Sequence, residues 1–130
     1  MKKVILLMII ACFMMMTGKA QLANTKWKGE MGIRQGPGQP LENDEVIWDF
    51  KPDTVVLHFT EGGEDEVMTY GIENNIMTIK KVSGGSQCEA GSTGKYKFSL
   101  KANQFFITLL EDSCQGRSGI DFSKPFMRVD

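Results

Sequence analysis

The chain contains few residues that could carry out covalent chemistry. His58 is its single histidine. Leu57 and Phe59 flank it in an alternating segment, so the imidazole is predicted to point away from the apolar face of a strand. Nucleophilic catalysis needs a Ser, Cys or Asp placed beside such a histidine, and the sequence shows no recognisable partner motif. We therefore predict no catalytic residues and no enzymatic activity.

A glycine-rich segment, Gly91-Ser92-Thr93-Gly94-Lys95, is similar to part of a phosphate-binding loop. That motif requires glycine at position 89 and serine or threonine at position 96. The chain has Glu89 and Tyr96 at these positions. The segment is therefore predicted to be a flexible hairpin loop, and no nucleotide cofactor is expected.

Acidic residues cluster at Glu61 and Glu64-Asp65-Glu66, on either side of two glycines. Carboxylates bind calcium when about six to eight oxygen ligands surround the ion at an ordered spacing. The two glycines make this segment mobile. We interpret it as a solvated turn and predict no metal site.

The first twenty residues have the pattern of a secretory signal peptide. Met1-Lys2-Lys3 is basic, and Val4–Met16 is an uncharged apolar run. Gly18 and Ala20 supply the small residues that precede a cleavage site. The apolar run is shorter than the roughly 20 residues of a membrane-spanning helix. We predict residues 1–20 to be a signal peptide and residues 21–130 to be the exported domain, in the periplasm or outside the cell.

Cys12 offers an alternative N-terminus. Ile9-Ile10-Ala11-Cys12 resembles a lipobox, whose cysteine is lipidated. The apolar run continues past Cys12 to Met16, whereas lipoproteins usually become polar after that cysteine. Cleavage after Ala20 is therefore favoured over a lipoprotein anchored at Cys12.

Removal of the signal peptide would leave two cysteines, Cys88 and Cys114. An even pair of cysteines in an exported chain indicates a disulfide. A two-cysteine metal site is the alternative, but it would need histidine or further cysteine ligands nearby. His58 lies thirty residues upstream of Cys88. We therefore predict a disulfide between Cys88 and Cys114.

The composition is that of one globular domain. The chain has 130 residues, of which 42% are hydrophobic and 24% are charged, and its formal net charge is -1. A nucleic-acid binder needs a basic surface to neutralise phosphates, so this near-neutral charge argues against that class. One hydrophobic core is expected, with no second domain.

Apolar and polar residues alternate in eight short segments, which is the period of strands with one buried face. Most links are short, as between antiparallel neighbours. Longer connections are predicted at Gln35–Asp44 and Ser83–Gly94, and a helical turn within Gly116–Phe122. Phe105–Leu110 is almost wholly apolar and is predicted to be covered on both faces. The pattern favours an all-β, eight-stranded antiparallel up-and-down β-barrel over a two-sheet sandwich, because closure removes exposed edges.

A series of short motifs runs through residues 22–130. It begins with Leu22-Ala23-Asn24-Thr25-Lys26-Trp27-Lys28-Gly29 and continues with Asp49–Asp53 and Tyr70–Asn75. It ends with Asp112-Ser113-Cys114-Gln115-Gly116-Arg117 and Phe126-Met127-Arg128. This series resembles small bacterial lipocalin-like proteins of the calycin type. The resemblance implies an eight-stranded barrel with room for a small apolar ligand.

The resemblance also implies a contact that closes one end of the barrel. In lipocalin-like barrels a tryptophan of the first strand packs under a basic residue of the last strand. Trp27 and Arg128 correspond to that pair, with Arg117 as a competing partner for Trp27. A cation–π contact of this kind contributes about 0.5–2 kcal/mol.

The inward residues of the predicted strands are the candidate ligand contacts. A small barrel either fills its centre with side chains or leaves room for one small ligand. The first expectation is an exported, non-catalytic binding module for a small hydrophobic ligand. The alternative is a cell-surface or periplasmic interaction or inhibitor-like protein, whose core is filled and whose long loops contact a partner. Both share the same interior candidates: Trp48, Phe50, Leu57, Phe59, Tyr70, Tyr96, Phe98 and Ile107.

Overall fold

The computed structural model describes residues 18–129. Within them, eight antiparallel strands each pair with the next along the chain, and the last pairs with the first. The predicted all-β, up-and-down barrel is therefore confirmed. Two short helices, α1 and α2, flank the strands. In chain order the elements are α1 Gly18–Leu22, β1 Thr25–Arg34, β2 Leu41–Phe50, β3 Thr54–Phe59, β4 Glu66–Glu73, β5 Ile76–Ser83, β6 Thr93–Lys101, β7 Gln104–Asp112, α2 Gln115–Ser118 and β8 Phe126–Arg128.

The two ends of the barrel are built differently. At the closed end, tight turns join β2 to β3, β4 to β5 and β6 to β7, and α1 packs beside them with Leu22 fully buried. Asn74 and Asn75 both adopt positive φ, at 50° and 63°, as in the type I′ turns that favour asparagine in hairpins. At the open end, longer connections span residues 35–40, 60–65, 84–92 and 113–125.

Inward side chains of alternating residues form the core. An aromatic cluster occupies the part of the barrel next to the closed end. The Trp48 ring stacks on Phe50 at 6.0 Å, and Phe105 lies 5.8 Å from Trp27. Tyr70 donates a 2.7 Å hydrogen bond to the carbonyl of Lys51 in the β2–β3 turn. The interior is therefore filled with side chains at this end.

The prediction of a loop over Gln35–Asp44 was wrong for residues 41–44, which belong to β2. β1 and β2 pair without interruption as far as Arg34 and Leu41, so the connection is only residues 35–40. Residues 41–43 are exposed and mostly polar, and their side chains give no alternating pattern. Backbone hydrogen bonds along the ladder continue regardless of side-chain type, which is why the alternation pattern placed the start of β2 too late.

The prediction that Phe105–Leu110 is covered on both faces was also wrong. Phe105 and Ile107 point into the barrel and are buried. The alternate residues point outward, and Leu110 is 50% exposed. A closed barrel has one interior, so an apolar residue at an outward position of a strand stays at the surface.

Two further predictions concern short segments. The helical turn expected within Gly116–Phe122 is present as α2, which begins one residue earlier at Gln115. Residues 1–17 of the predicted signal peptide lie outside the described residues, and Gly18 to Ala20 form the start of α1. None of the described helices is long and apolar enough to cross a membrane.

Gly29 allows the last strand to close the barrel. A Cβ atom at this position would lie 2.6 Å from Cδ1 of the Phe126 ring and 3.2 Å from its Cα. Gly29→Ala should therefore push β8 away and lower the free energy of unfolding by about 1–3 kcal/mol. Urea denaturation measures this change. Gly71→Ala in β4 is the control, because an added Cβ there meets nothing within 4 Å. Equal losses for the two variants would contradict this interpretation.

Candidate functional site

The open end of the barrel contains a cavity of about 390 Å³. Pockets for small molecules have volumes of about 300–1,000 Å³, so the cavity is large enough for one small ligand. Its apolar wall combines strand residues with one residue of the β7–β8 connection: Met31, Ile33, Leu57, Phe59, Met68 and Ile120.

Loops at the open end form the rim of this cavity. The β3–β4 connection contributes Gly62-Gly63-Glu64, and the β5–β6 connection contributes Gly85-Ser86-Gln87-Cys88. Gln35 and Gly116 complete the rim from two other connections. Most of these rim residues are exposed, so the cavity opens to solvent between the loops.

A buried ion pair lies at one side of the cavity. Arg117 of α2 lines the cavity and is only 7% exposed. Its Nε and Nη2 donate to the two oxygens of Asp112, at 2.5 Å and 2.9 Å. The Tyr96 hydroxyl donates to the same carboxylate. This side-on pairing fixes the guanidinium plane in one orientation.

The local sequence explains why the carboxylate sits there. Asp112 ends β7 directly opposite Gly94 of β6, and a Cβ on Gly94 would lie 2.3 Å from Asp112 Oδ2. The backbone N–H of Cys114 donates to Asp112 Oδ1 at 2.8 Å. Glycine on one strand and a tight turn after the other therefore make room for the carboxylate.

A disulfide joins this turn to the β5–β6 connection. The sulfur atoms of Cys88 and Cys114 lie 2.05 Å apart, at bonding distance. Cys88 itself lines the cavity. The bond therefore ties the segment that carries Arg117 to the β5–β6 connection at the rim.

A second buried ion pair lies on the same rim. Glu66 and Lys81 are each 5% exposed, with Lys81 Nζ 3.3 Å from Glu66 Oε1. Ser86 donates to Glu66 through its backbone N–H and its hydroxyl, both at 2.8 Å. Lys81 Nζ donates to the Cys88 carbonyl at 2.8 Å. The interpretation of residues 64–66 as a solvated turn was wrong for Glu66, because it is an inward residue of β4.

The Asp112 pairing determines the charge state of its neighbours. Burial raises the pKa of Tyr96, and the hydrogen bond to Asp112 raises it further, so the phenol stays protonated at neutral pH. Burial alone would lower the pKa of Arg117, but the hydrogen bonds and charge of Asp112 outweigh it and raise that pKa. Arg117 is therefore positively charged at neutral pH.

The structure separates the eight predicted interior residues into two groups. Leu57 and Phe59 line the cavity. The other six belong to the packed core and do not appear in its lining: Trp48, Phe50, Tyr70, Tyr96, Phe98 and Ile107. Trp48 is the cross-strand partner of Leu57, so the filled part of the barrel begins directly next to the cavity wall.

Trp27 and Arg128 face each other across the β1–β8 ladder. The guanidinium carbon of Arg128 lies 5.9 Å from the centre of the Trp27 ring, within cation–π range. The indole N–H of Trp27 donates to Thr25 Oγ1 at 2.7 Å. Arg117, the competing candidate for this contact, pairs with Asp112 instead.

His58 lies on the outer face of the barrel, away from the cavity. Its Nδ1 is 2.8 Å from Asp65 Oδ2 and its Nε2 is 3.3 Å from Asp49 Oδ2. Burial alone would raise the pKa of Asp49, but hydrogen bonds from Lys51 and His58 outweigh burial and lower it. In the described part of the chain, no group of three or more His, Cys, Asp or Glu side chains is placed to hold a metal ion.

Sequence reasoning missed the buried pair of Glu66 and Lys81. Both lie at positions where the alternation of their strand predicts an inward side chain. Glu66 lies two residues before the inward Met68, and Lys81 lies two residues after the inward Ile79. This alternation was the sequence signal from which their burial could have been predicted. Charged residues are rarely buried without a partner, which favoured the interpretation of Glu66 as part of a solvated turn.

Comparisons of the chain with protein-family models, with curated proteins and with solved structures gave no match.

Proposed function

We propose that this protein is an exported, non-catalytic, lipocalin-like binding module that holds a small, largely apolar ligand in the cavity at the open end. The observation that carries this proposal is the division of the interior. Side chains fill the part next to the closed end, and about 390 Å³ of space is left at the open end.

The cavity wall is suited to an apolar ligand. Ile33, Phe59 and Ile120 line the cavity and are only partly buried, so they expose apolar surface to it. Apolar surface removed from water contributes about 25 cal/mol per Å². A ligand that covers this wall therefore gains free energy without any change in the fold.

The wall is also held in place before a ligand enters. The Cys88–Cys114 bond and the Asp112–Arg117 and Glu66–Lys81 pairs surround the cavity. A preformed site avoids the entropy cost of ordering loops upon binding. These links support binding by a rigid cavity rather than by mobile loops.

The proposed location rests on the cysteine pair and the N-terminal sequence. A bonded pair of cysteines is compatible with an oxidising, exported environment. Residues 1–20 have the pattern of a signal peptide. We place the mature domain at residues 21–130, with lipid anchoring at Cys12 as the alternative.

Probe binding tests the proposal. N-phenylnaphthylamine, an uncharged apolar dye, should bind the purified protein and become fluorescent. Ile33→Trp should weaken binding by about tenfold or more, because the indole fills the mouth of the cavity. Val82→Trp is the matched control: Val82 is 51% exposed and lies outside the cavity lining.

Two results would contradict the proposal. One is the absence of binding by any apolar probe. The other is an equal loss of affinity in Ile33→Trp and Val82→Trp. Either result would favour the interaction or inhibitor-like alternative, in which the loops contact a protein partner.

A further inference from the structure

We propose that the ligand is an organic cation, in which an apolar body carries a protonated amine, and that the Asp44 carboxylate accepts hydrogen bonds from the ammonium group. This inference rests on the proposed function and specifies the ligand class for the same cavity.

Asp44 places a carboxylate in the otherwise largely apolar wall of the cavity. Its cross-strand partner on β1 is Met31, which is buried and lines the cavity. Residues directly opposite each other in an antiparallel pair point to the same face of the sheet, so Asp44 points inward. Asp44 itself lines the cavity and is only half-buried. A molecule bound in the cavity can therefore reach this carboxylate.

The side chain of Asp44 is free to accept hydrogen bonds from a ligand. Among residues 18–129, no hydrogen bond or ion pair occupies its carboxylate. Arg34 also lines the cavity, but it is exposed and its Nη1 donates to the Gln39 carbonyl at 2.5 Å. A charge that is removed from water without a partner loses its hydration. A ligand that covers Asp44 must therefore supply a compensating group.

The charges around the cavity favour a cation as that group. Two charged lining residues, Arg117 and Glu66, are neutralised by their ion-pair partners. The other charged lining residues are Arg34, Asp44 and Glu64, whose charges of +1, −1 and −1 sum to −1. An anionic ligand would be repelled by the Asp44 carboxylate, and a neutral ligand would cover it without compensation. A ligand cation attracts the carboxylate and replaces its lost hydration.

Phe59 adds an aromatic ring to the same part of the cavity wall. It lines the cavity and is the cross-strand partner of Val46, which lies two residues from Asp44 on the inward face of β2. Diagonal neighbours of this kind lie about 7–8 Å apart, within reach of an aromatic side chain. Aromatic rings attract ammonium groups through cation–π contacts. The cavity therefore offers a carboxylate and a ring to one cation, with apolar side chains for the rest of the ligand.

Three naphthalene compounds of similar shape separate the ligand classes. Naphthylethylamine carries an ammonium group at neutral pH, isopropylnaphthalene has a methyl group in its place, and naphthoate carries a carboxylate. Each is used to displace N-phenylnaphthylamine from the purified protein in about 0.15 M salt, which screens long-range charge. We expect the amine to bind about tenfold more tightly than isopropylnaphthalene, and naphthoate to bind most weakly. A tenfold difference corresponds to about 1.4 kcal/mol, close to the lower end for a hydrogen bond to a charged group.

Substitution of Asp44 tests the assignment of the acceptor. Asp44→Asn keeps the shape of the side chain but removes its charge, so the preference for the amine over isopropylnaphthalene should fall to about twofold or less. Its affinity for isopropylnaphthalene should not decrease, which shows that the cavity persists. Asp53→Asn is the matched control, because it removes the same charge from a side chain that is 86% exposed in the β2–β3 turn at the closed end. This control should retain the full preference.

The comparison within the wild-type protein remains decisive even if Asp44→Asn fails to fold. Equal affinity for the amine and isopropylnaphthalene, or tightest binding of naphthoate, would overturn the inference while dye binding leaves the binding proposal intact. A full preference retained in Asp44→Asn, or an equal loss in Asp53→Asn, would overturn the assignment to Asp44. Failure of the dye and of all three compounds to bind would overturn both the inference and the proposed function.

Discussion

Asp112→Ala is expected to lower the free energy of unfolding by about 3–5 kcal/mol, the usual cost of removing one partner of a buried ion pair. The carboxylate side chain is fully buried and accepts hydrogen bonds from Arg117, from Tyr96 and from the backbone of Cys114. Its loss strands the Arg117 guanidinium in a site that is only 7% exposed. A loss of this size is a large share of the ~5–15 kcal/mol that stabilises a typical domain.

Glu111→Gln provides the matched control for that prediction. Glu111 precedes Asp112 in β7, but its side chain is 71% exposed and lies 3.5 Å from Lys95. Exposed pairs of this kind contribute about 0–1 kcal/mol. Urea denaturation of both variants at neutral pH measures the contrast. A loss below about 1 kcal/mol for Asp112→Ala would contradict a structural role for the buried pair.

Reduction of the Cys88–Cys114 bond is expected to lower the melting temperature by about 15 °C. The two cysteines are separated by 26 positions. Closing a loop of that length restricts the unfolded chain by about 3.5 kcal/mol in the chain-entropy model. For a domain of this size, each kcal/mol corresponds to about 4 °C in melting temperature.

A Cys88→Ser, Cys114→Ser double variant separates the bond from side effects of the reductant. The double variant should melt at about the temperature of the reduced wild type and should not respond to reductant. Two reactive thiols in the folded, unreduced wild type would show that the bond is not formed. In that case the rim would lose its link between the two long connections.

Strand patterning predicted the barrel because every strand buries one face. Residues such as Tyr96 and Phe98 alternate with exposed lysines in β6, and their spacing alone predicts which side chains face inward. The disulfide was predicted from a different signal, the even pair of cysteines that remains after the predicted signal peptide. Both predictions depend on patterns that can be recognised in a single sequence.

The position of the cavity could not be obtained in this way. Alternation identifies inward residues but carries no information on how far along the barrel they sit. Trp48 and Leu57 are equally inward, yet only Leu57 lines the cavity. Whether space remains depends on the summed volume of side chains from all strands and on how the long connections fold over the open end.

The burial of charged residues at the open end was also not predicted from the sequence. Glu66 and Lys81 are distant in sequence, and their burial is favourable only because each has a partner on the neighbouring strand. Arg117 was considered as a partner for Trp27, because the sequence does not show that α2 turns its guanidinium toward Asp112. These pairings depend on how strand ends and loops fold against one another, which the alternation pattern does not record.

We propose that a small molecule binds inside the open end of the barrel. Amide chemical shifts recorded while N-phenylnaphthylamine is added to the purified protein test this binding most directly. Binding there should cause saturable changes concentrated at residues of the cavity wall, such as Ile33, Leu57 and Met68, with little change at Phe98 in the filled part. Changes concentrated at outer-face residues such as Val82 and Leu110, or no saturable changes at all, would contradict it.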